Sequence, residues 1–356
     1  MTDDETQVRP DADTFIYEFT GAMFGTPFTP PDWWPAVADF FTGGDPVDLG
    51  SGLFVMDHTD LALPDVTPIS LTRTYRQNDA NNRGWGPGWS HPYFVYLWSA
   101  QPYQQVDLIL PDGGRVHYVR TSPGIGFADA VFEHTGTPSA FYKSHIVFNG
   151  TGWDLTLKDG TKLVFLDNGP LTLIVDRYGN RTSLVRLGPD PKGNIDVIRS
   201  SNGRWIQLTY DTINRITRAE DNSGGAVTYD YTAADATGRL WKVHDAAGGI
   251  TEYGYDANSR LRTIKDAKLI TYLTVDYDAN GRVQKQTQAD NTTFQFAYTL
   301  DGNGKVTQTD VTDPRTFVRR VTRWTANPSP ASAGPVRHRT SATRATSTTP
   351  STTETD

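Results

Sequence analysis

One pattern recurs five times between residues 206 and 312, and it constrains the fold more than any other feature of the chain. In each copy an aromatic residue, in most copies followed by aspartate, precedes a small polar turn. A basic residue then precedes a branched apolar one. The basic residue lies at positions 215, 239, 260, 282 and 305, so the copies are 21 to 24 residues apart. A period of this length marks an array of small supersecondary units, which must stack because none buries a hydrophobic face alone.

A β-hairpin explains each residue of the pattern. We expect the tyrosine to close a strand, Asp, Asn and Gly to form the turn, and the Arg-Leu or Arg-Val pair to start the returning strand. The repeated Asp and Arg are interpreted as turn residues and ion pairs, because an enzyme needs one asymmetric constellation whereas a scaffold repeats its residues. The predicted signature residues are Tyr210, Asp211, Arg215, Asp221, Gly238, Arg239, Asp245, Tyr255, Asp256, Arg260, Asp266, Tyr277, Asp278, Gly281 and Arg282, and the looser copies start at Tyr231 and Tyr298.

Residues 45–175 show a period-two pattern that is typical of an antiparallel β-domain. From Ile69 to Tyr75 larger side chains alternate with Ser and Thr, which predicts a half-buried strand. Asp-Gly and Asn-Gly pairs between such segments favour tight hairpin turns. Further strands are predicted at Tyr93–Trp98, Val106–Leu110, Val116–Arg120, Trp153–Leu157, Lys162–Leu166 and Leu171–Asp176.

The two ends of the chain differ from its middle. Residues 1–44 are predicted to be a leader, with a short helix from Asp32 to Phe41 that packs on the body of the protein. The repeat array is placed at 176–324. Residues 325–356 contain 23 Thr, Ser, Pro or Ala among 32, which predicts a disordered tail. Because this change interrupts what should be another repeat, two alternatives stay open: a true flexible tail, or a truncated or frameshifted coding sequence, which we favour.

Two blocks of the sequence together resemble bacterial Rhs proteins. The order of motifs in the first block resembles the domain that precedes the repeats in this family, and residues 206–312 resemble its tyrosine-aspartate (YD) repeats. The resemblance covers residues 44–322. The first block contributes Gly44, Asp45, Pro46 and Asp48, then Arg73 and Tyr75, and finally Gly86, Gly88, Trp89 and Ser90, the last four in a motif interpreted as a turn that runs on to His91.

The resemblance implies both a fold and a role. Rhs and related polymorphic-toxin proteins wind their repeats into a hollow β-shell around a C-terminal toxin. We therefore expect an all-β chain, with an antiparallel β-domain followed by an array of β-hairpin YD repeats that forms part of such a shell. The partners implied for full-length relatives are a C-terminal toxin domain and secretion machinery. The chain shows no signal peptide, so we expect synthesis in the cytoplasm, with secretion or surface display in full-length relatives.

Several other functions are disfavoured by composition and spacing. A formal net charge of −8 argues against nucleic acid as a partner, and no apolar run is long enough for a membrane span. The chain has no cysteine, and its seven histidines lack metal-site spacing, so no cofactor or metal is predicted. Self-cleavage of the kind seen in Rhs proteins is not expected, because the segment from Asp313 lacks the glycine of that motif.

Two readings of the pre-repeat region compete with a scaffold. A β-module that binds a surface carbohydrate or a partner cell is the main alternative, with Trp85, Trp89, Tyr93 and Trp98 as candidate stacking residues, although core packing is favoured for them. An enzyme acting on polysaccharide is the weakest hypothesis. Its carboxylates would come from Asp45, Asp48, Asp57 and Asp60, for which turn caps and solvated loops are the preferred explanation.

Overall fold

The computed structural model describes residues 47–322, apart from 78, 112–113, 137–138, 168 and 189–192. Within these residues the chain forms twenty-four β-strands and no helix, which confirms the predicted all-β class. The predicted leader helix and the predicted disordered tail both lie outside the described residues.

A small antiparallel sheet comes first, in the order β1-β2-β3. Its strands are β1 (Val55–Leu63), β2 (Ile69–Arg76) and β3 (Trp89–Ser90). Eight strands follow before residue 176: β4 (Tyr96–Trp98), β5 (Gln105–Ile109), β6 (Arg115–Arg120), β7 (Val131–Glu133), β8 (His145–Phe148), β9 (Gly152–Thr156), β10 (Lys162–Leu166) and β11 (Leu171–Val175).

The strands after residue 176 alternate with short turns. They are β12 (Arg181–Arg186), β13 (Ile195–Arg199), β14 (Trp205–Tyr210), β15 (Ile216–Asp221), β16 (Ala226–Tyr231), β17 (Leu240–His244), β18 (Ile250–Tyr255), β19 (Leu261–Lys265), β20 (Thr271–Tyr277), β21 (Val283–Gln288), β22 (Thr293–Leu300), β23 (Val306–Thr312) and β24 (Val318–Thr322).

Strands β4 to β24 pair in sequence order, each antiparallel to the next, in one large sheet. The pairing continues across residue 175, because β11 joins β12 with Leu173 opposite Ser183. The division into a pre-repeat domain and a repeat array stays a prediction, and it does not coincide with a break in the sheet.

The large sheet closes on itself at its first strand. The Leu97 N–H donates to the Gly169 carbonyl (2.7 Å), and the Leu171 N–H donates to the Val95 carbonyl (3.1 Å). Closure of this kind pairs backbone groups that an edge strand would otherwise expose.

Strand β2 is buried on both faces, so the prediction of a half-buried strand is wrong. Ser70, Thr72 and Thr74 are as buried as the apolar residues between them. The Thr72 hydroxyl is satisfied by a hydrogen bond to that of Thr59 (2.9 Å), and the backbone N–H of Ser70 donates to the Tyr93 hydroxyl (3.4 Å). The alternation of polar and apolar side chains in β2 therefore does not mark a solvent-exposed face, because the polar ones are also buried.

Two local predictions near β3 also need correction. The strand predicted at Tyr93–Trp98 begins only at Tyr96, because Tyr93 lies in a turn closed by a bond from the Phe94 N–H to the His91 carbonyl (3.0 Å). Ser90, interpreted as part of a turn, belongs to β3, and the turn lies before Trp89. By contrast, the strand predicted at Lys162–Leu166 matches β10.

Candidate functional site

The pre-repeat segment, defined as residues 47–90, packs against the hairpins that carry the repeated pattern. The branched apolar residue of four successive copies is fully buried there, and each belongs to one continuous core. Burying one such side chain contributes about 1.5–3 kcal/mol. The four residues are Ile216, Leu240, Leu261 and Val283.

In four of the five copies the repeat turn is held together by its aspartate. The Asp256 carboxylate accepts hydrogen bonds from the N–H groups of Asn258 (2.9 Å) and Arg260 (2.8 Å). Ser259 adopts a φ of 64° between them, the left-handed conformation that such turns require. Burial opposes ionisation of Asp256, but the backbone donor and side chain of Arg260 lower its pKa below the usual value. The same carboxylate-to-backbone bonds recur at Asp211, Asp278 and Asp301, and in the turns at the opposite end of the strands at Asp221, Asp245 and Asp266.

The repeat arginine joins its own turn to the next repeat. Arg260 contacts the Asp256 carboxylate at 2.8 Å through Nε and at 2.7 Å through its terminal nitrogen. Its guanidinium also lies over the ring of Tyr277, 4.4 Å from the centroid. Such cation–π contacts contribute about 0.5–2 kcal/mol. Arg215 over Tyr231 (4.1 Å) and Arg239 over Tyr255 (5.7 Å) repeat the stacking arrangement.

The repeat tyrosine makes the reciprocal contact with the preceding repeat. The Tyr255 hydroxyl donates to the carbonyl of Leu240 (2.7 Å), the branched apolar residue of the copy before it. In its own hairpin Tyr255 lies opposite Leu261, at a β-bulge. The equivalent bonds join Tyr210 to Ile195 (2.8 Å), Tyr231 to Ile216 (2.6 Å), Tyr277 to Leu261 (2.5 Å) and Tyr298 to Val283 (2.6 Å).

The pre-repeat segment makes a separate polar contact with each of the five copies. Three contacts satisfy the amide of a branched residue at a bulge, where the ladder leaves a donor in need of an acceptor. The other two use side-chain donors, and the one from Arg239 is long. The contacts are Gly84 O with Ile216 N (2.6 Å), Pro87 O with Arg239 (3.5 Å), Tyr75 Oη with Leu261 N (2.9 Å), Gly52 O with Val283 N (2.8 Å) and Leu49 O with Thr309 Oγ1 (2.6 Å).

Glycine is required where the pre-repeat segment comes closest to its neighbours. Gly88 has a φ of 89°, and a Cβ atom there would lie 2.7 Å from the Tyr75 ring. A larger residue would therefore combine backbone strain with a clash.

A buried ion pair occupies the centre of this interface. Arg73 and Asp60 form two hydrogen bonds of 2.6 and 2.8 Å, and both side chains are at most 1% exposed. Arg73 also donates to the Tyr253 hydroxyl (3.1 Å), while the Tyr229 hydroxyl donates to Asp60 (2.6 Å). The guanidinium lies 5.2 Å from the centroid of the Trp89 ring. Burial opposes ionisation of Asp60, but the charge of Arg73, with a further contribution from His58, lowers its pKa to about 2.

Sequence reasoning placed Arg73 and Trp89 in the pre-repeat motif but missed their partners. Asp60 was interpreted as a turn cap or solvated loop residue, whereas it lies in β1 and its side chain is buried. Tyr229 and Tyr253 are the first tyrosines of two Tyr-X-Tyr runs, and this doublet in neighbouring copies was the available signal.

Among the remaining predicted residues, Gly44, Asp45 and Pro46 lie outside the described residues, and the others that follow have structural roles. Asp48 is buried and accepts from the Gly50 N–H (2.9 Å) and the Ser51 hydroxyl (2.9 Å), and burial raises its pKa. Gly86 adopts a φ of 81° in the turn before Trp89. The Gly238 carbonyl accepts a hydrogen bond from Arg215 (3.2 Å), and the Gly281 carbonyl accepts one from Gln77. Arg282 donates to the Gly304 carbonyl (3.0 Å).

Three of the four aromatic residues considered for glycan stacking are in the core. Trp85, Trp89 and Tyr93 are at most 3% exposed, so their faces are not available to a sugar. Trp98 is partly buried, and its ring is covered by Arg115 at 5.0 Å.

Comparison with known proteins shows which family the chain resembles. A family model described as a domain of unknown function (DUF6531) matches residues 44–118, and the RHS Repeat model matches residues 234–268. The chain therefore contains the RHS repeat of the bacterial Rhs (YD-repeat) proteins and is similar to them in both matched regions. Two relatives from Dickeya dadantii (strain 3937), named probable deoxyribonuclease RhsA and RhsB, are each 29% identical in an alignment of 284 residues that covers 75% of this chain. The chain spans 18% of the length of these Rhs relatives.

Two solved structures that match part of the chain are of Tc toxin proteins. The TcdB2-TccC3 complex matches with 15% identity and a TM-score of 0.33, over 77% of this Rhs chain and 16% of the matched one. A Photorhabdus luminescens Tc holotoxin pore matches with 14% identity and a TM-score of 0.33, over the same shares of each chain.

The described part of the chain has no helix that is long and apolar enough to cross a membrane. No group of three or more His, Cys, Asp or Glu residues in that part is arranged to hold a metal ion.

Proposed function

We propose that this Rhs chain is a non-enzymatic β-repeat scaffold from a polymorphic toxin. In the longer protein it would enclose or present a C-terminal toxin used in competition between bacteria. The central observation is that the pre-repeat segment contacts every copy of the repeat separately. A segment that contacts all five copies fixes how consecutive hairpins follow one another, which is what a shell wall needs.

The repeated side chains support a structural role because their polar groups are used internally. Asp256 is occupied by the backbone of its own turn, Arg260 by Asp256 and Tyr277, and Tyr255 by the Leu240 carbonyl. Burial also raises the pKa of Tyr255 far above its ordinary value, so its hydroxyl acts as a hydrogen-bond donor. Residues held in this way are poorly suited to act as nucleophiles or bases.

The toxin and the secretion machinery are proposed partners of the longer protein. The name of the Dickeya relatives, probable deoxyribonuclease, supports a toxin that acts on DNA in those proteins. For this chain we propose that such an activity would belong to a different segment. The protein would be made in the cytoplasm and exported or displayed as part of the complete toxin.

A chimera tests the scaffold proposal. Residues 44–322 would replace the matching region of Dickeya RhsA, and the chimera would be assayed for toxin-dependent killing of a susceptible strain. We expect the chimera to kill the susceptible strain and Arg73→Met in the chimera to abolish this killing. The toxin domain expressed alone serves as the positive control for toxin activity. If the folded chimera kills equally well with and without Arg73→Met, the interface is not required and the proposal is wrong. Plasmid cleavage by this chain alone, absent from a mock purification, would refute the non-enzymatic part.

A further inference from the structure

Three nitrogen atoms beside the turn that precedes β4 are buried and have no hydrogen-bond partner among the described residues. They are Trp85 Nε1, His91 Nδ1 and Arg186 Nε. Trp85 is fully buried and His91 is 3% exposed. Their rings meet edge to face, with centroids 5.7 Å apart. An unsatisfied buried donor costs about 1–3 kcal/mol, so three in one neighbourhood require an explanation.

Arg186 is half-buried, and its partners differ from those of the buried arginines. Its two terminal nitrogens donate to the backbone carbonyls of Gly193 (2.8 Å) and Leu171 (2.8 Å), and it forms no ion pair with a carboxylate in the described part of the chain. Four arginines whose side chains are less than a tenth exposed each pair with an aspartate: Arg73 with Asp60, Arg83 with Asp79, Arg120 with Asp129 and Arg215 with Asp211.

No carboxylate of the described residues is among the groups that shift the pKa of Arg186. Burial lowers that pKa, and the charge of Tyr210 opposes the shift. Burial, and then the charge of Arg186, lower the pKa of His91 to about 3. A buried cation with neutral partners is unfavourable, and an anion in contact with it would offset the desolvation.

We propose that Trp85, His91 and Arg186 form a binding site for a small monovalent anion of the size of chloride. An indole N–H and a guanidinium N–H can only donate, and the imidazole can donate from Nδ1 in the matching tautomer, so all three favour an acceptor that carries charge. Because Trp85 and His91 are buried, the ligand that we propose is a small ion.

Thermal unfolding of the full chain at pH 7 and fixed ionic strength tests the site. Sodium chloride or bromide would replace sodium gluconate, whose anion is too large to enter. We expect a saturable rise in Tm with either halide, because a ligand of the folded state stabilises it in proportion to occupancy. The rise should be lost in Arg186→Met and retained in Arg199→Met, which removes an exposed arginine from the neighbouring strand β13.

Two further measurements keep the proposal refutable if Arg186→Met does not fold. Trp85→Phe keeps an aromatic ring but removes the N–H, and should weaken the halide dependence. Crystals of the wild-type protein soaked in bromide should show an anomalous peak within hydrogen-bond distance of Trp85 and Arg186. A Tm that does not distinguish halide from gluconate, a halide effect that survives Arg186→Met, or bromide-soaked crystals without this peak would each overturn the proposal.

Discussion

Replacing Asp60 with asparagine should destabilise this Rhs chain severely, because it leaves the Arg73 guanidinium buried without a counterion. The pKa of Asp60, about 2 against an ordinary 3.8, corresponds to about 2–3 kcal/mol of native-state stability at pH 7. Removing one partner of a buried pair costs about 3–5 kcal/mol, since the remaining charge stays desolvated. The Tyr253 hydroxyl and the rings around Arg73 are neutral and compensate only in part. We therefore expect a loss of about 3–5 kcal/mol.

Urea unfolding of the full chain, followed by tryptophan fluorescence, measures this loss, and Asp310→Asn provides the control. Asp310 and Arg320 also form two short hydrogen bonds, both 2.7 Å, but on the surface. The control should lose far less, because exposed pairs are solvated in both states. Adding Arg73→Met to Asp60→Asn should restore part of the stability, since it removes the stranded charge.

The pH dependence gives an independent readout of the same pair. A carboxylate with a lowered pKa contributes stability above the unfolded pKa of 3.8, and this contribution is lost as the pH falls towards 2. Asp60→Asn should abolish that part of the acid loss. If Asp60→Asn and Asp310→Asn destabilise equally, the buried pair is not the centre of the interface.

Three further predictions concern single residues of the same interface. Tyr255→Phe removes the hydrogen bond to the Leu240 carbonyl and leaves the Trp89 indole N–H without its acceptor. Urea unfolding should therefore show a free energy of unfolding that is lower by about 1–3 kcal/mol. Unchanged stability would mean that the tyrosines do not couple the repeats. Gly88→Ala should lower Tm more than Gly224→Ala, because both positions have φ near 90° but the new methyl group clashes only at Gly88; equal shifts would contradict the close approach. The free energy of unfolding should fall as the pH drops from 6.5 towards 3, because His91 is protonated in the unfolded chain but not in the native chain. The expected loss is about 3 kcal/mol at pH 4.5. An acid loss of the same size in His91→Phe would exclude this histidine as its source.

The repeat hairpins were predictable from the sequence because their determinants are local. An aspartate and the N–H groups two and four residues later are parts of one turn, as at Asp256, so the pattern contains both donor and acceptor. The stacking of Arg260 on Tyr277 also lies within one period. These interactions repeat with the sequence, and periodicity reveals them.

The interface was not predictable because its contacts join distant parts of the chain. Asp60 meets Tyr229 across 169 residues, and Arg73 meets Tyr253 across 180. No periodic signal links such positions. The burial of β2 on both faces has the same cause, because a strand pattern shows which residues alternate but not how many layers cover them. The continuity of the sheet past residue 175 likewise depends on pairing and not on composition.

Hydrogen exchange at the bulge amides tests the central claim that the pre-repeat segment holds the repeats in register. In the full Rhs chain, the amides of Ile216, Leu261 and Val283 should exchange as slowly as those in the middle of their strands, because Gly84, Tyr75 and Gly52 accept their hydrogen bonds. Exchange as fast as that of the exposed turn amides beside them would contradict the account, since the segment would then not bind the repeats.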